Sequence, residues 1–398
     1  MCPCCGIGFY IWTVKEEIAA NSQKVLSLLN LPVGEQTKRW LFGAKIKKEQ
    51  SKMRVGMYYN NKDVRVEEMP KPEIGADEIL VKAAACGICG SDVLEWYRIK
   101  KAPIVLGHEM AGEIVEVGKN VTKYSIGQRV FVSHHIPCNT CSYCLNGYHT
   151  ACDTLHSTNF FPGGFSEYIR IPALNVDRGV FPLPDEMSYD QAVFIEPLAC
   201  VVRAQRLVKI RPGQSVVVMG SGISGLLHIM LAKALGAGRI IATDINEDRL
   251  KTAKELGAEV TINAMEDVPE KIKLVNDGKL ADLVVVCTGA LPAFKQALKS
   301  VDRGGTILAF ATSNPGEDLP VPLNDFWRNE IKLMPSYGNA PVDAVQSMEL
   351  IRAGRVSVEK LISHKIPLDR IEEGFFMTAN GHDHKGEKSL KVIVELNK

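Results

Sequence analysis

Four cysteines, Cys138-x2-Cys141-x2-Cys144-x7-Cys152, fall within fifteen residues of a 398-residue chain. The same stretch carries Pro137, Asn139, Asn146 and Gly147, which favour turns over packed elements. Four thiolates at ~2.3 Å around Zn2+ form a closed tetrahedral site that fixes such a loop without a hydrophobic core. A full thiolate shell leaves no open position, so the spacing predicts a structural zinc rather than a catalytic one. Disulfide pairing is the competing use of these thiols, and a reducing compartment disfavours it.

A second set of donors is dispersed: Cys89 within Cys86-Gly-Ile-Cys-Gly-Ser-Asp92, His108 and Glu109 after Gly107, and Glu196 within Ile195-Glu-Pro197. Singly, each has an ordinary use, as core thiol, turn histidine or surface carboxylate. Together their S, N and O donors suit a catalytic zinc with three protein ligands and an exchangeable water. Spacing alone does not bring them to one point.

The third chemical signal is Gly220-Ser-Gly222-Ile-Ser224-Gly225, placed between an apolar strand and a helix. There the first glycine permits a tight turn and the second lets backbone approach a pyrophosphate. The third lets helix pack on strand, with phosphate at the helix N-terminus. Asp244, about 20 residues on, suits the adenosine ribose hydroxyls and would repel a 2′-phosphate, so NAD is expected over NADP.

These residues need a scaffold. From residue 53, short β-branched stretches at 78–82, 111–117 and 128–133, broken by Gly and Pro, predict an irregular all-β region. Past Arg211-Pro-Gly213 the texture changes to alternating strands and helices at 215–219, 226–235, 240–243, 247–256 and 283–287. That alternation predicts an α/β fold with a doubly wound parallel sheet. One more helix and a closing strand at 391–395 are expected after about residue 345. The expected domains are therefore 53–205 with 346–398, carrying the zinc lobe at 138–152, and 206–345 for the dinucleotide. Residues 1–52 form an extension of unread role, with helical patterns at 14–31 and 36–48 and crowded Cys2, Cys4 and Cys5.

Lys and Arg number 47 against 46 Asp and Glu, and the charges are mixed, so bulk electrostatics select neither nucleic acid nor an anionic membrane. No apolar run approaches the ~18 residues of a membrane span, and the first residues lack a secretory pattern, so we expect a cytoplasmic protein whose partner is a small molecule.

In their order, Gly87-Ile-Cys-Gly-Ser-Asp92, Leu106-Gly-His-Glu109, the four-cysteine lobe, Ile195-Glu-Pro197 and the glycine fingerprint resemble the zinc-containing medium-chain alcohol dehydrogenases, most of all their sorbitol and threonine dehydrogenase branch. The resemblance implies a GroES-like catalytic domain plus a Rossmann domain, two zinc ions per chain, NAD, and a homo-oligomer, tetramer or dimer. It implies hydride transfer from a secondary alcohol, such as a polyol or hydroxy-amino acid. Cys89 and His108 resemble the fixed ligands of the catalytic zinc, with Glu196 or Glu109 completing the set, and Asp92 resembles the residue that orients a ligand. Ser91 resembles the hydroxyl that first receives the substrate proton; the next step, through the nicotinamide ribose hydroxyl to water or through Glu95 or Glu109, is open. The histidine that extends this relay in many relatives is absent, since the chain reads Val93-Leu94-Glu95-Trp96. Arg249 resembles a cation beside the adenosine, and Thr288 a residue near the nicotinamide half. Trp96, Tyr97, Phe160 and Phe161 are candidate pocket walls, and Arg98 a candidate contact for an anionic substrate. A zinc-free reductase of the same shape and a non-catalytic NAD-binding protein are the alternatives.

Overall fold

A computed structural model describes residues 51–396. The helical patterns at 14–31 and 36–48 and the thiols Cys2, Cys4 and Cys5 lie outside the described residues. Among the described residues, no helix is long and apolar enough to cross a membrane.

The first half is β-rich: β1 (Lys52–Asn60), β2 (Asp63–Pro70), β3 (Ile79–Gly87), β4 (Ile104–Val105), β5 (Glu109–Val117), β6 (Arg129–Val132), β7 (Tyr168–Ile171) and β8 (Val180–Pro182). In β1, Met53 and Val55 turn inward while Lys52 and Arg54 do not, the period-two pattern of a strand with one buried face. β2, β1 and β4 form a small antiparallel sheet. β3 is the hub of the larger one: its apolar run Ile79-Leu-Val81 is buried, and it pairs with β5 and β7.

The second half holds β9 (Val216–Met219), β10 (Ile240–Asp244), β11 (Val260–Asn263), β12 (Ala281–Val286), β13 (Val301–Ala309) and β14 (Lys332–Pro335). They run parallel in the order β11-β10-β9-β12-β13-β14. Val216-Val-Val-Met219 is buried throughout, as expected of a parallel strand covered on both faces. Strand order reverses between β9 and β12, and in open α/β sheets the crevice at the carboxyl ends of strands flanking such a reversal is where ligands bind.

The chain then returns to the first sheet. β15 (Ile362–Pro367) pairs in parallel with β16 (Lys391–Glu395), and β16 pairs antiparallel with β3, Ile393 facing Gly87. Helix Ile195–Leu207 joins the halves. It packs on the helices Ile223–Ala234 and Pro341–Arg352, the latter through Arg206 to Asp343 at 2.8 Å. The closing region exceeds the single helix expected, since Pro341–Arg352 and Ile371–Asn380 both form. The second was masked by Gly374, whose small size lets the helix lie against Ile88 and Ile366.

Candidate active site

The β3–β5 ladder places Gly87, the last residue of β3, opposite Glu109, the first of β5. Cys89 follows the end of one strand by two residues and His108 precedes the start of the other, so both project from the same end of the sheet. A side chain at position 87 would collide with the Glu109 carboxylate, whose Oε2 lies 2.1 Å from where its Cβ would stand. Ligand atoms of Cys89, His108 and Glu109 all lie within 4.8 Å of one another.

Glu109 is wholly buried and its two oxygens differ. Oε2 accepts a hydrogen bond from Lys391 Nζ at 2.6 Å, while Oε1 is buried with no partner. An orphaned anionic oxygen beside a thiol and an imidazole is costly without a cation, and this donor set fits zinc. Lys391 is buried too, and also donates to Ile88 O at 3.2 Å; burial works against its charge, yet Glu109 holds its pKa above the usual lysine value.

Asp92 lies behind the pair. Its Oδ1 is 3.4 Å from His108 Nδ1, and its Oδ2 accepts from Cys89 N–H at 3.1 Å. Burial opposes the Asp92 charge, but His108, Arg98 and this N–H keep the carboxyl below its ordinary range. A ligand histidine braced through its second nitrogen has fixed orientation and higher basicity. Burial lowers the proton affinity of His108, but Asp92 and Cys89 outweigh it and hold the imidazole well above 6.5.

Glu196 is near but not in this cluster. It sits in the first turn of helix Ile195–Leu207, 6% exposed, where Oε1 accepts from Asn339 Nδ2 at 3.0 Å and from the Cys200 thiol at 3.6 Å. Burial, reinforced by the charge of Glu109, raises its pKa above the usual glutamate value. Ser91 is half-buried beside the Cys89 thiol, its N–H 3.5 Å from Cys89 Sγ, and its Oγ accepts from an Arg98 terminal nitrogen at 3.1 Å. Arg98 also donates to Ser91 O at 2.9 Å and lies 3.4 Å from Asp92 Oδ1. Its charge is thus committed inward, which removes the reason for assigning it to an anionic substrate. Of the aromatic candidates, Phe160 is 2% exposed and belongs to the core, whereas Trp96 and Phe161 lie on the surface.

The four-cysteine lobe closes as its spacing predicts. All four sulfurs lie within 4.8 Å of one another, with Cys138 to Cys144 at 3.9 Å and Cys141 to Cys144 at 3.6 Å. A tetrahedral zinc–thiolate site has sulfur–sulfur edges of about 3.8 Å. N–H groups of Thr140 and Cys141 point at Cys138 Sγ, and hydrogen bonding led by Thr140 brings that thiol down to about 5. Apart from Cys144 and Cys152, only Leu155 is buried in the lobe's own cluster, so the metal replaces a core.

At the crevice where the strand order reverses, Gly220 follows β9 with φ +92° and Gly222 caps helix Ile223–Ala234. A Cβ on Gly225 would stand 1.9 Å from Gly220 O, so helix and strand approach only because it is absent. Ser224 lies half-buried in the first helical turn. Asp244 ends β10; its Oδ2 accepts from Ser221 N–H at 2.7 Å and its Oδ1 from Asn246 N–H at 2.9 Å. One carboxylate therefore ties the glycine loop to the next strand. Thr288 follows β12 and packs against Gly220. Arg249 extends to Gly381, beyond the end of helix Ile371–Asn380.

Sequence reasoning missed Lys391, the inward bonds of Arg98, and a pair of adjacent, tilted imidazoles. His134 lies 5.0 Å from His108 and 4.0 Å from His135, centroid to centroid. The dipeptide His134-His135 after β6 was the available signal, and the register of β5 with β6 sets it beside His108.

Residues 75–185 match the alcohol dehydrogenase GroES-like domain and residues 224–353 the zinc-binding dehydrogenase domain. The chain is 33% identical to a sorbitol dehydrogenase of Bacillus subtilis (strain 168) over 356 residues, 87% of this chain and 98% of that one. An L-threonine 3-dehydrogenase of Rhizobium etli (strain CIAT 652) is 30% identical over 84% of this chain and 96% of its own length. The solved structure of 2R,3R-butanediol dehydrogenase from Bacillus subtilis superposes with a TM-score of 0.75 at 29% identity, covering 87% of this chain and all of that one. With this likeness over nearly the whole length of its relatives, and the ordered donor sets above, the chain belongs to the zinc-containing medium-chain alcohol dehydrogenases, in their sorbitol and threonine dehydrogenase-like branch.

Proposed function

We propose that the protein oxidises a small secondary alcohol, a polyol, hydroxy-amino acid or related compound, with NAD as acceptor. The observation that carries this reading is the convergence of Cys89, His108 and Glu109 from separate segments, with Glu109 Oε1 buried and unpartnered. When bound, zinc supplies Lewis acidity toward an alcohol oxygen and the dinucleotide supplies a two-electron acceptor.

The chain's own residues do the rest. Cys89, His108 and one or both of Glu109 and Glu196 would hold the catalytic ion, with Asp92 fixing the His108 ring. Cys138, Cys141, Cys144 and Cys152 would hold a second, structural ion. Lys391 keeps one Glu109 oxygen occupied, which limits how strongly that carboxylate competes for a metal. Ser91 offers a hydroxyl beside the Cys89 thiol. Gly220, Gly222, Ser224 and Gly225 leave helix N–H groups for a pyrophosphate, Asp244 keeps lone pairs for ribose hydroxyls, and Thr288 flanks the nicotinamide side. Asp244 supports NAD over NADP by charge.

An NAD-reduction screen over polyols, threonine, hydroxy acids and simple secondary alcohols, with and without a chelator, tests the reading. Chelator-sensitive turnover of one class is expected. One zinc per chain with no turnover across the panel would instead support a non-catalytic NAD-binding role.

A further inference from the structure

We propose that Arg98 is a positioning residue that turns the Ser91 hydroxyl into a fixed hydrogen-bond donor toward the substrate oxygen; this rests on the dehydrogenase reading above. A serine hydroxyl has one proton and two lone pairs. In this structure, the Arg98 guanidinium occupies one lone pair of Ser91 Oγ at 3.1 Å, and a second bond to Ser91 O at 2.9 Å locks the pair in register. Among the described residues, no side chain or carbonyl takes the Ser91 proton in a hydrogen bond, and Ser91 sits next to the candidate ligand Cys89, its N–H 3.5 Å from Cys89 Sγ, so the proton is left for a substrate oxygen there.

The guanidinium is itself held by two further neighbours. Asp92 Oδ1 lies 3.4 Å away, the Tyr97 ring lies under the guanidinium carbon at 4.6 Å, and the side chain is only 15% exposed. Arg98 therefore holds Ser91 through contacts confined to the turn that carries it.

An imidazole in this place could alternately give and take a proton. A guanidinium always donates. During oxidation the alcohol carbon loses hydrogen with its electron pair to the dinucleotide, and the alcohol oxygen loses a proton. Arg98 cannot receive that proton, which goes to water or to a carboxylate, Glu95 or Glu109. The Ser91 proton stays on Ser91 and stabilises the oxygen as it becomes a carbonyl.

The test uses full-length, zinc-loaded protein and the panel alcohol that the wild type oxidises fastest. Arg98→Ala and Ser91→Ala should each lower kcat about 10- to 100-fold, the range of one hydrogen bond to a charged or reacting group. KM for NAD should stay within about twofold. Arg98→Lys, which keeps a donor, should restore most of kcat. In the double variant the losses should not multiply, because both act through one hydroxyl. Zinc content and resistance to a chelator should match the wild type in every variant.

Multiplying losses would overturn the inference, as would Arg98→Ala within twofold of wild-type kcat. Loss of zinc from Arg98→Ala or Arg98→Lys would overturn it in favour of support for Asp92 and His108. A zinc-loaded wild type that turns over no alcohol would sink the dehydrogenase reading and this inference with it.

Discussion

Lys391 Nζ lies 2.6 Å from Glu109 Oε2, with the two side chains 3% and 0% exposed, and 282 positions separate them in the chain. The pair joins the last strand of the fold to the mouth of the candidate zinc site. Two charges so fully removed from water are stable only together, and deleting one partner of a buried pair costs about 3–5 kcal/mol.

Lys391→Met should therefore lower the unfolding free energy by roughly that amount, with Glu109 left as an uncompensated carboxylate. The double variant Lys391→Met with Glu109→Gln should recover part of the loss, since no buried charge is then stranded. Denaturant unfolding of the three proteins reads this directly. A single-variant loss under about 1 kcal/mol would mean that the pair is solvated in the working protein.

The two thiol sites should separate by metal analysis. Cys144→Ser is expected to remove one zinc per chain and lower the Tm, because the lobe has almost no core of its own. Cys89→Ser should remove the other zinc and abolish turnover with a smaller fall in Tm than Cys144→Ser, because the β3–β5 ladder supports that site without the thiol. Two zinc ions retained in either variant would contradict the assignment of ligands.

Legibility in the sequence followed distance along the chain. The four-cysteine lobe and the glycine fingerprint could be read because their chemistry is local, and spacing alone nearly fixes geometry. Cys89 and His108 needed resemblance to join them, and the structure supplies the physical link in the Gly87–Glu109 register. Lys391 was read only as the start of a strand; nothing near it says that its side chain crosses to Glu109. Arg98 looked like part of a basic loop with Lys100 and Lys101, because the acceptors that draw it inward belong to a turn earlier in the chain. β13 and β14 escaped notice for another reason. Asp302-Arg-Gly-Gly305 interrupts the apolar pattern of one, and the other is a four-residue edge strand ending in Pro335.

Asp244 does two jobs, and its variant should show both. Asp244→Gly removes the charge that opposes a 2′-phosphate, so the ratio of kcat/KM for NAD over NADP should fall at least about tenfold. It also strips the acceptor from Ser221 N–H, so the KM for each dinucleotide should rise. Steady-state kinetics with both cofactors separates the effects, and an unchanged ratio would remove Asp244 from cofactor selection.

His228 makes the helix that follows the glycine loop sensitive to acid. It is fully buried in helix Ile223–Ala234, where Gln205 Nε2 donates to its backbone oxygen at 2.8 Å and sits 3.2 Å from Nδ1. Burial brings its pKa from 6.5 down to about 3. Between those values the unfolded chain binds a proton that the folded chain refuses, so stability is full above 6.5 and is lost as pH falls toward 3. By pH 5 this one group should cost about 2 kcal/mol. His228→Gln, neutral throughout, should start less stable at pH 7 because it disturbs the packing against Phe310 and Gln205. It should then lose about 2 kcal/mol less than the wild type between pH 7 and pH 5. Denaturant midpoints at the two pH values measure the difference. Parallel losses in the two proteins would show that His228 takes up its proton without unfolding, and that water reaches the helix just behind the glycine loop.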